Sequence, residues 1–121
     1  MSKKIIIVDD APIIRSMLKD ILVQAGYDVI AECNNGKEAV DVFRELKPDL
    51  LTMDIVMPEK DGIEAIHDIL AIDGKAKIIM VTAVDQRVAL MKAIRAGAVD
   101  YIIKPFESDR VLSAVRSALG E

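Results

Sequence analysis

Acidic, hydroxyl and amino side chains follow the short apolar runs of this sequence. Asp9 and Asp10 follow the first run, Asp54 the third, Thr82 the fourth and Lys104 the fifth. If these runs are parallel strands, their carboxyl ends share one edge of a sheet, where the side chains would converge. Three crowded carboxylates repel one another unless a cation holds them. With one histidine and one cysteine in the chain, oxygen ligands favour Mg²⁺ over Zn²⁺.

Phosphoryl transfer would use each of these groups. A carboxylate oxygen can attack phosphorus in line, while charge on the equatorial oxygens needs cationic and hydrogen-bonding partners. Asp54, after the central run, is best placed as the nucleophile; Lys104 would supply charge and Thr82 a hydrogen bond. Taken singly, these residues also have structural explanations, since an acid after a strand often caps the next helix. Their coincidence at one edge favours a reactive site.

Five apolar runs predict the strands that must position these residues. Ile5–Val8, Leu50–Met53 and Ile78–Val81 are continuous, which is typical of strands buried on both faces. The runs at 29–31 and 99–103 are weaker, and the second contains an acid, so both indicate edge strands.

Helical stripes separate the predicted strands. Apolar residues recur at spacings of three and four, which indicates amphipathic helices. Pro12 opens the first stripe and Gly26 ends it, as expected at helix termini. The five stripes are Ile14, Met17, Leu18, Ile21, Leu22 and Ala25; Ala39, Val40, Phe43 and Leu46; Ile63, Ile66, Ile69 and Leu70; Val88, Met91 and Ile94; and Val111, Ala114, Val115 and Ala118.

Strict alternation of strands and helices predicts an α/β fold with a doubly wound, five-stranded parallel sheet. Buried first, third and fourth strands fit the flavodoxin-like order 2-1-3-4-5, although periodicity alone leaves other open α/β sheets possible. The 121 residues, 52% of them hydrophobic and 30% charged, predict a single globular domain.

The charge balance and the lone cysteine restrict partners and compartment. A net charge of −4 gives no reason to expect nucleic acid or an anionic membrane as the main partner. Cys33 excludes an internal disulfide and suits a reducing compartment. The apolar run after Met1 to Lys4 is too short for a signal peptide or a membrane span. We therefore expect a cytoplasmic protein.

Several motifs together resemble the receiver domain of two-component response regulators, and in particular the stand-alone chemotaxis receivers. The resemblance covers Lys4 to about Leu119, and its set of fragments is specific although each fragment is weak alone. The motifs are Asp9-Asp10, Asp54-x-x-Met57-Pro58-x-x-Asp61-Gly62, Thr82-Ala83 and Tyr101-x-x-Lys104-Pro105-Phe106.

The resemblance implies roles for individual residues. Asp54 would accept the phosphoryl group, and Thr82 and Lys104 would contact it. Asp10, Asp54 and the backbone carbonyl of Val56 would bind Mg²⁺ directly, with Asp9 acting through water. The resemblance also implies that Tyr101 is an aromatic switch and that the Lys104–Pro105 bond is cis.

The resemblance also implies partners and an output. A histidine kinase would supply the phosphoryl group, a phosphatase is a further candidate partner, and a downstream protein such as a flagellar motor switch component would be the target. We expect a monomeric receiver over residues 1–121 without an output domain, and not an enzyme beyond its own phosphorylation and dephosphorylation. The output face would comprise the fourth helix, fifth strand and fifth helix, with Leu90 and Ile103 in an exposed patch.

The sequence is also compatible with other functions. A phosphorelay intermediate outside chemotaxis is the nearest one. An aspartate-nucleophile phosphatase is more distant, because that class places its nucleophile after the first strand and needs a cap segment. A flavin-binding domain would need a hydroxyl- and glycine-rich loop where Asp9 and Asp10 stand. His67 and Cys33 are expected to be a solvent-edge and a packed residue.

Overall fold

The computed structural model describes residues 2–121, in which five parallel strands alternate with five α-helices. The sheet order is β2-β1-β3-β4-β5, as predicted. A 3₁₀ turn at Val84–Gln86 precedes α4. The elements are β1 Lys4–Val8, α1 Pro12–Gln24, β2 Asp28–Cys33, α2 Gly36–Leu46, β3 Leu50–Met53, α3 Gly62–Ile72, β4 Ile78–Ala83, α4 Arg87–Ala96, β5 Asp100–Lys104 and α5 Ser108–Leu119.

The three inner strands are buried on both faces, which explains their continuous apolar sequences. Every residue of Ile5–Val8, Leu50–Met53 and Ile78–Val81 is at most 1% exposed. β2 and β5 lie at the sheet edges, as their weaker patterns predicted. Alternate strand residues therefore point to two separate cores.

Each face of the sheet has its own helical layer. Ile6, Met53 and Met80 pack on the side of α2, α3 and α4, together with Phe43 and Ile66. The opposite core joins α1 and α5 to the sheet through Ile5, Ile7, Leu18, Leu22, Ile79, Ile102, Val111 and Val115. Among the described residues, no helix is long and apolar enough to cross a membrane.

Helix starts at the carboxyl edge of the sheet are fixed by local sequence. Pro12 occupies the first turn of α1, where a missing N–H costs nothing. The Asn35 side chain accepts from the Glu38 amide at 2.8 Å to begin α2, and Asp61 accepts from the Glu64 amide at 2.9 Å to begin α3. Both are side-chain N-caps. The loops at the functional edge therefore end at defined residues.

The predicted core stripe of α4 is wrong. Val88, Met91 and Ile94 are 71%, 51% and 39% exposed, while Leu90 and Ala93 are buried. Small residues form most of the face that packs on the sheet, so the larger apolar residues of α4 remain on the outside. Leu90 was expected in an exposed patch; at 8% exposure it lies beneath that surface instead.

Candidate functional site

The predicted site residues meet at the carboxyl edge of the sheet. Asp9 and Asp10 follow β1, and Asp54 follows β3. The positions of Thr82 and Lys104 differ slightly from those predicted, because β4 continues to Ala83 and β5 includes Lys104. Strand pairing extends this far because the Lys104 backbone still lies opposite Ala83.

Lys104 joins two of the acids. Its Nζ donates to Asp9 Oδ2 at 2.9 Å and lies 3.5 Å from Asp54 Oδ2. Asp9 is 1% exposed and Asp54 8%, whereas Asp10 is exposed. Carboxylate oxygens of the three aspartates all lie within 4.8 Å of one another. The edge is therefore a compact acidic cluster with a lysine on one side.

The environment changes the proton affinity of Asp54 and Lys104. Burial, followed by the negative charge of Asp9, raises the pKa of Asp54 to about 6, against the opposing effect of Lys104. Burial acts to lower the pKa of Lys104, but its hydrogen bond to Asp9 and the charges of Asp54 and Asp9 outweigh that effect and raise it. The lysine therefore stays charged, while repulsion among the acids is incompletely relieved.

The cluster fits a divalent cation. Three carboxylates against one ammonium group leave about two uncompensated negative charges when all are ionised. The donor set consists of oxygen atoms, which suits Mg²⁺. Asp9, Asp10 and Asp54 are the residues that could hold the ion; a direct contact from the Val56 carbonyl stays a prediction. Charge and donor chemistry thus agree with the sequence-based expectation.

The loop after β3 carries Val56 between two buried anchors. Ile55 and Met57 are 3% and 8% exposed, while Val56 is 57% exposed. The Gly62 amide donates to the Ile55 carbonyl at 2.7 Å. A Cβ on Gly62 would lie 2.9 Å from Ile55 Cα, so glycine permits this close approach. The loop is closed at its base beside Asp54.

Thr82 carries a buried hydroxyl with an unused hydrogen bond. Its Oγ1 has no partner among the described residues, although the side chain is fully buried. Such a group in a native structure requires an explanation, and a ligand at the adjacent site is one.

Tyr101 is 43% exposed, with Arg110 5.7 Å from its ring centroid. The Lys104–Pro105 bond is cis, as expected.

Arg15 contributes to the site although its sequence position did not indicate this. Its Nη1 donates to the Asp9 backbone carbonyl at 2.7 Å, and its Nε lies 3.4 Å from Glu32. A charged residue beside an apolar helical stripe is ordinarily solvated, so the sequence gives no signal for the contact.

His67 is exposed and Cys33 buried, as expected.

The fold and the acidic edge together define the class of this chain. The family model of the response regulator receiver domain matches residues 5–116, and the chain belongs to this family. Receiver domains are signalling domains. They bind Mg²⁺ at an acidic pocket, and the cluster of Asp9, Asp10 and Asp54 has the composition such a pocket requires.

Similar proteins span nearly the whole chain. The chemotaxis protein CheY of Thermotoga maritima is 53% identical over 115 residues, covering 95% of this chain and 96% of that protein. CheY of Bacillus subtilis is 52% identical over 119 residues, with coverages of 98% and 99%. The chain is thus similar to these chemotaxis proteins along at least 95% of its length.

Solved structures agree with the fold. The response regulator domain of Thermotoga maritima CheB matches with a TM-score of 0.91 at 34% identity, covering 100% of this chain and 98% of that one. The CheX–CheY–BeF₃–Mg²⁺ complex from Borrelia burgdorferi contains a chain that matches with a TM-score of 0.90 at 31% identity, with coverages of 95% and 87%.

Proposed function

We propose that this protein accepts a phosphoryl group from a histidine kinase on Asp54, with Mg²⁺ at the acidic cluster, and signals by protein–protein contact in chemotaxis. The supporting observation is the setting of Asp54, which belongs to the carboxylate cluster and also has an oxygen 3.5 Å from the Lys104 ammonium group. A carboxylate that attacks phosphorus must lie close to both the metal ion and the cationic group that stabilise charge on the phosphoryl oxygens.

The other two aspartates are less suited to attack. Both carboxylate oxygens of Asp9 are engaged: Oδ1 accepts from the Ala11 amide at 2.9 Å and Oδ2 from Lys104 at 2.9 Å. Asp10 is exposed, and within residues 2–121 Lys104 forms ion pairs with Asp9 and Asp54 but not with Asp10. In Asp54, Oδ1 accepts from the Ile55 amide at 2.8 Å, which leaves Oδ2 as the freer oxygen.

The proposed reaction is a direct displacement. An Asp54 carboxylate oxygen forms a bond to phosphorus, the P–N bond of phosphohistidine breaks, and its electron pair remains on the imidazole nitrogen of the kinase. Lys104 stabilises negative charge on the transferring oxygens, and the unpartnered Thr82 hydroxyl donates to one of them. Mg²⁺, when bound, would supply the remaining charge stabilisation. Water later attacks phosphorus and returns inorganic phosphate and the free carboxylate.

Phosphorylation of the purified protein tests the assignment. Incubation with acetyl phosphate and Mg²⁺ should add one phosphoryl group, which peptide mapping by mass spectrometry should place on Asp54. Asp54→Asn should remain unlabelled. Label on another residue, or undiminished label in the variant, would contradict the proposal.

The metal requirement is tested separately. Asp10→Ala removes one proposed ligand but leaves Asp54 and Lys104 in place, so it should lose both Mg²⁺ binding and phosphorylation. EDTA should have the same effect on the wild type. The Borrelia burgdorferi complex contains CheX, CheY, BeF₃ and Mg²⁺, and the presence of Mg²⁺ in it supports this part of the proposal. Unchanged phosphorylation in EDTA would count against it.

An apolar cavity next to the site is the proposed output surface. A cavity of about 550 Å³ lies where α4 meets β5 and is lined by Val84, Met91, Ile94, Tyr101 and Ile103, among others. Two arginines, Arg87 and Arg95, also line it. An apolar surface with basic neighbours suits an acidic amphipathic segment of a partner.

Strand β5 connects this cavity to the acidic cluster. Lys104 contacts the acids, while the preceding residue, Ile103, lines the cavity. Ile103 also lies opposite Thr82 in the sheet. Movement of the Thr82 hydroxyl toward a phosphoryl group would change the space available to Tyr101 and so alter the cavity.

A purified flagellar motor switch component provides the output test. We expect it to bind the phosphorylated protein more tightly than the unphosphorylated one, and Met91→Ser to weaken that binding. Met17→Ser is the matched control, because Met17 is 43% exposed on α1 and Met91 51% exposed on α4. Binding to a histidine phosphotransfer protein but not to the motor component would instead favour a phosphorelay intermediate.

A further inference from the structure

The first turn of α2 contacts the loop that carries Val56. The Gly36 amide donates to the Lys60 carbonyl at 2.9 Å. Lys60 lies in the segment that leaves Asp54 and ends at the N-cap of α3, Asp61. The first residue of α2 is therefore hydrogen-bonded to the loop between β3 and α3.

Glycine is required at position 36 by space, not by backbone conformation. The φ angles of the described glycines are positive at Gly26, Gly97 and Gly120, so Gly36 has a conformation open to other residues. A Cβ there would overlap the Lys60 carbonyl oxygen and lie 2.8 Å from its carbon and 3.0 Å from the Asp61 carbonyl oxygen. These neighbours are backbone atoms, which cannot yield by a side-chain rotation.

The contacted loop is constrained elsewhere as well. Glu59 has a φ of 67°, a left-handed conformation that is uncommon for a residue with a side chain. The Lys60 amide donates to the Pro58 carbonyl at 2.8 Å, and the Lys60 side chain pairs with Asp68 of α3. Because these contacts restrict the loop, we expect a displacement at Lys60 to shift Val56 as well.

We propose that Gly36 is a positioning residue for the metal site: it holds the loop from Ile55 to Asp61 so that the Val56 carbonyl faces the cation. The inference rests on the proposed Mg²⁺ function of this edge. Gly36 contributes no ligand atom and acts through Lys60. Groups that orient metal ligands typically change metal affinity when they are altered.

The choice of metal offers a specific signature. Mg²⁺ demands near-ideal octahedral geometry, whereas Ca²⁺ accepts flexible arrangements of oxygen ligands. A displaced loop should therefore weaken Mg²⁺ binding more than Ca²⁺ binding. Loss of global stability alone would weaken both ions similarly.

Gly36→Ala is the direct test. Alanine is the better helix former, so a loss of metal affinity would come from the overlap with Lys60. Isothermal titration with Mg²⁺ and with Ca²⁺ should show Mg²⁺ affinity reduced about tenfold and Ca²⁺ affinity reduced less. Gly74→Ala is the matched control, because a Cβ there meets its nearest atom at an ordinary 3.9 Å; it should bind both ions as the wild type does.

A second pair of variants covers failure of Gly36→Ala to fold. Asn35→Ala removes the α2 cap without adding bulk, loosening the Gly36 amide, and should also lower Mg²⁺ affinity relative to Ca²⁺. Asn35→Ser retains a cap acceptor and should restore it. Unchanged Mg²⁺ affinity in folded Gly36→Ala, or an equal loss for both ions, would overturn the inference. Absence of Mg²⁺ binding by the wild type would overturn the proposed function as well.

Discussion

Two exposed valines each stand two positions after a residue of the candidate site. Val56 stands two residues after Asp54 and Val84 two residues after Thr82, and they are 57% and 67% exposed. Neither side chain can orient a water molecule by hydrogen bonding. Hydrolysis of a phosphorylated Asp54 requires water in line behind phosphorus, so apolar bulk at these two positions should slow it.

The double variant Val56→Asn/Val84→Glu should therefore lose its phosphoryl group faster than the wild type. A barrier lowered by about 1.4 kcal/mol would give a tenfold faster decay. The decay is followed by the loss of phosphorylated mass after excess acetyl phosphate is removed. Val23→Asn is the control, since Val23 is 50% exposed on α1. Equal or slower decay in the double variant would show that the valines do not retard hydrolysis.

Thr52 and Thr82 both bury a hydroxyl without a hydrogen-bond partner, but they lie at different places in the sheet. Neither Oγ1 finds a partner within residues 2–121. Thr82 lies at the functional edge, where a phosphoryl oxygen would satisfy it. Thr52 lies within β3 opposite Ile7 and next to Ile79 of β4, between apolar residues. Its hydroxyl therefore carries the desolvation cost without a ligand to offset it.

Thr52→Val should raise the free energy of unfolding by about 1 kcal/mol, because valine keeps the shape and removes the buried hydroxyl. Phosphorylation of this variant should be unchanged. Thr82→Val should be stabilised in the same direction but should lose part of its phosphorylation-dependent response. Urea unfolding and phosphorylation assays measure the two effects. A loss of stability in Thr52→Val would reveal a partner for that hydroxyl.

At the scale of elements, α4 is attached to the sheet by a narrow buried face. Leu90→Ala should lower the free energy of unfolding by about 2–5 kcal/mol, as for other buried leucines. Val88→Ala, two residues away and 71% exposed, should change stability by less than about 0.5 kcal/mol. Chemical denaturation of both variants measures the difference. A larger loss in Val88→Ala than in Leu90→Ala would contradict the orientation of the helix.

The same helix shows where sequence patterns suffice and where they fail. Continuous apolar runs predicted β1, β3 and β4 because strands buried on both faces consist mostly of apolar residues, with Thr52 and Thr82 as the buried exceptions. In α4 the pattern located a helix but indicated the wrong face, since alanines allow close packing while larger apolar residues remain outside. An apolar stripe indicates that a helix face packs against another apolar surface, and that surface can belong to a partner protein.

The candidate site, too, was only partly predictable from the sequence. Asp9, Asp54 and Lys104 were predictable because strand ends converge in a parallel sheet. The Gly36–Lys60 contact was not, because it joins segments whose proximity depends on how α2 and α3 pack. Arg15 was also missed, since its partner is a backbone carbonyl and leaves no trace in the side-chain pattern.

For the whole molecule, ionisation of the buried Asp54 opposes folding when no metal is bound. The pKa of Asp54 is raised from 3.8 to about 6 in the folded protein, so the native state binds this proton more tightly than the unfolded chain does. Its contribution to stability is present below the unfolded pKa and is lost as the pH rises through the folded pKa. Stability attributable to Asp54 should therefore fall between about pH 4 and pH 6.

Asp54→Asn should lack this decrease and should be more stable than the metal-free wild type near neutral pH. Thermal unfolding of both proteins across this pH range, in EDTA, isolates the contribution of Asp54 from that of the other acids. Added Mg²⁺ should raise the unfolding temperature of the wild type, because a ligand that binds only the native state stabilises it. Parallel pH profiles for the two proteins would contradict the raised pKa.

The contact between Gly36 and Lys60 also bears on the chemical ageing of the chain. An asparagine followed by glycine deamidates when the glycine nitrogen attacks the side-chain carbonyl carbon and expels ammonia. Water then opens the resulting succinimide to aspartate or isoaspartate. Here that nitrogen is hydrogen-bonded to Lys60 and the Asn35 Oδ1 accepts from Glu38, so Asn35 should be protected during storage. Deamidation of Asn35 requires the loop to open, because only then is the Gly36 nitrogen free to attack. The Gly36→Ala variant cannot be used for this measurement, since it removes the Asn-Gly sequence. Slow conversion of Asn35 to aspartate, followed by mass spectrometry against the exposed Asn34, would therefore record how often α2 and the metal-site loop separate.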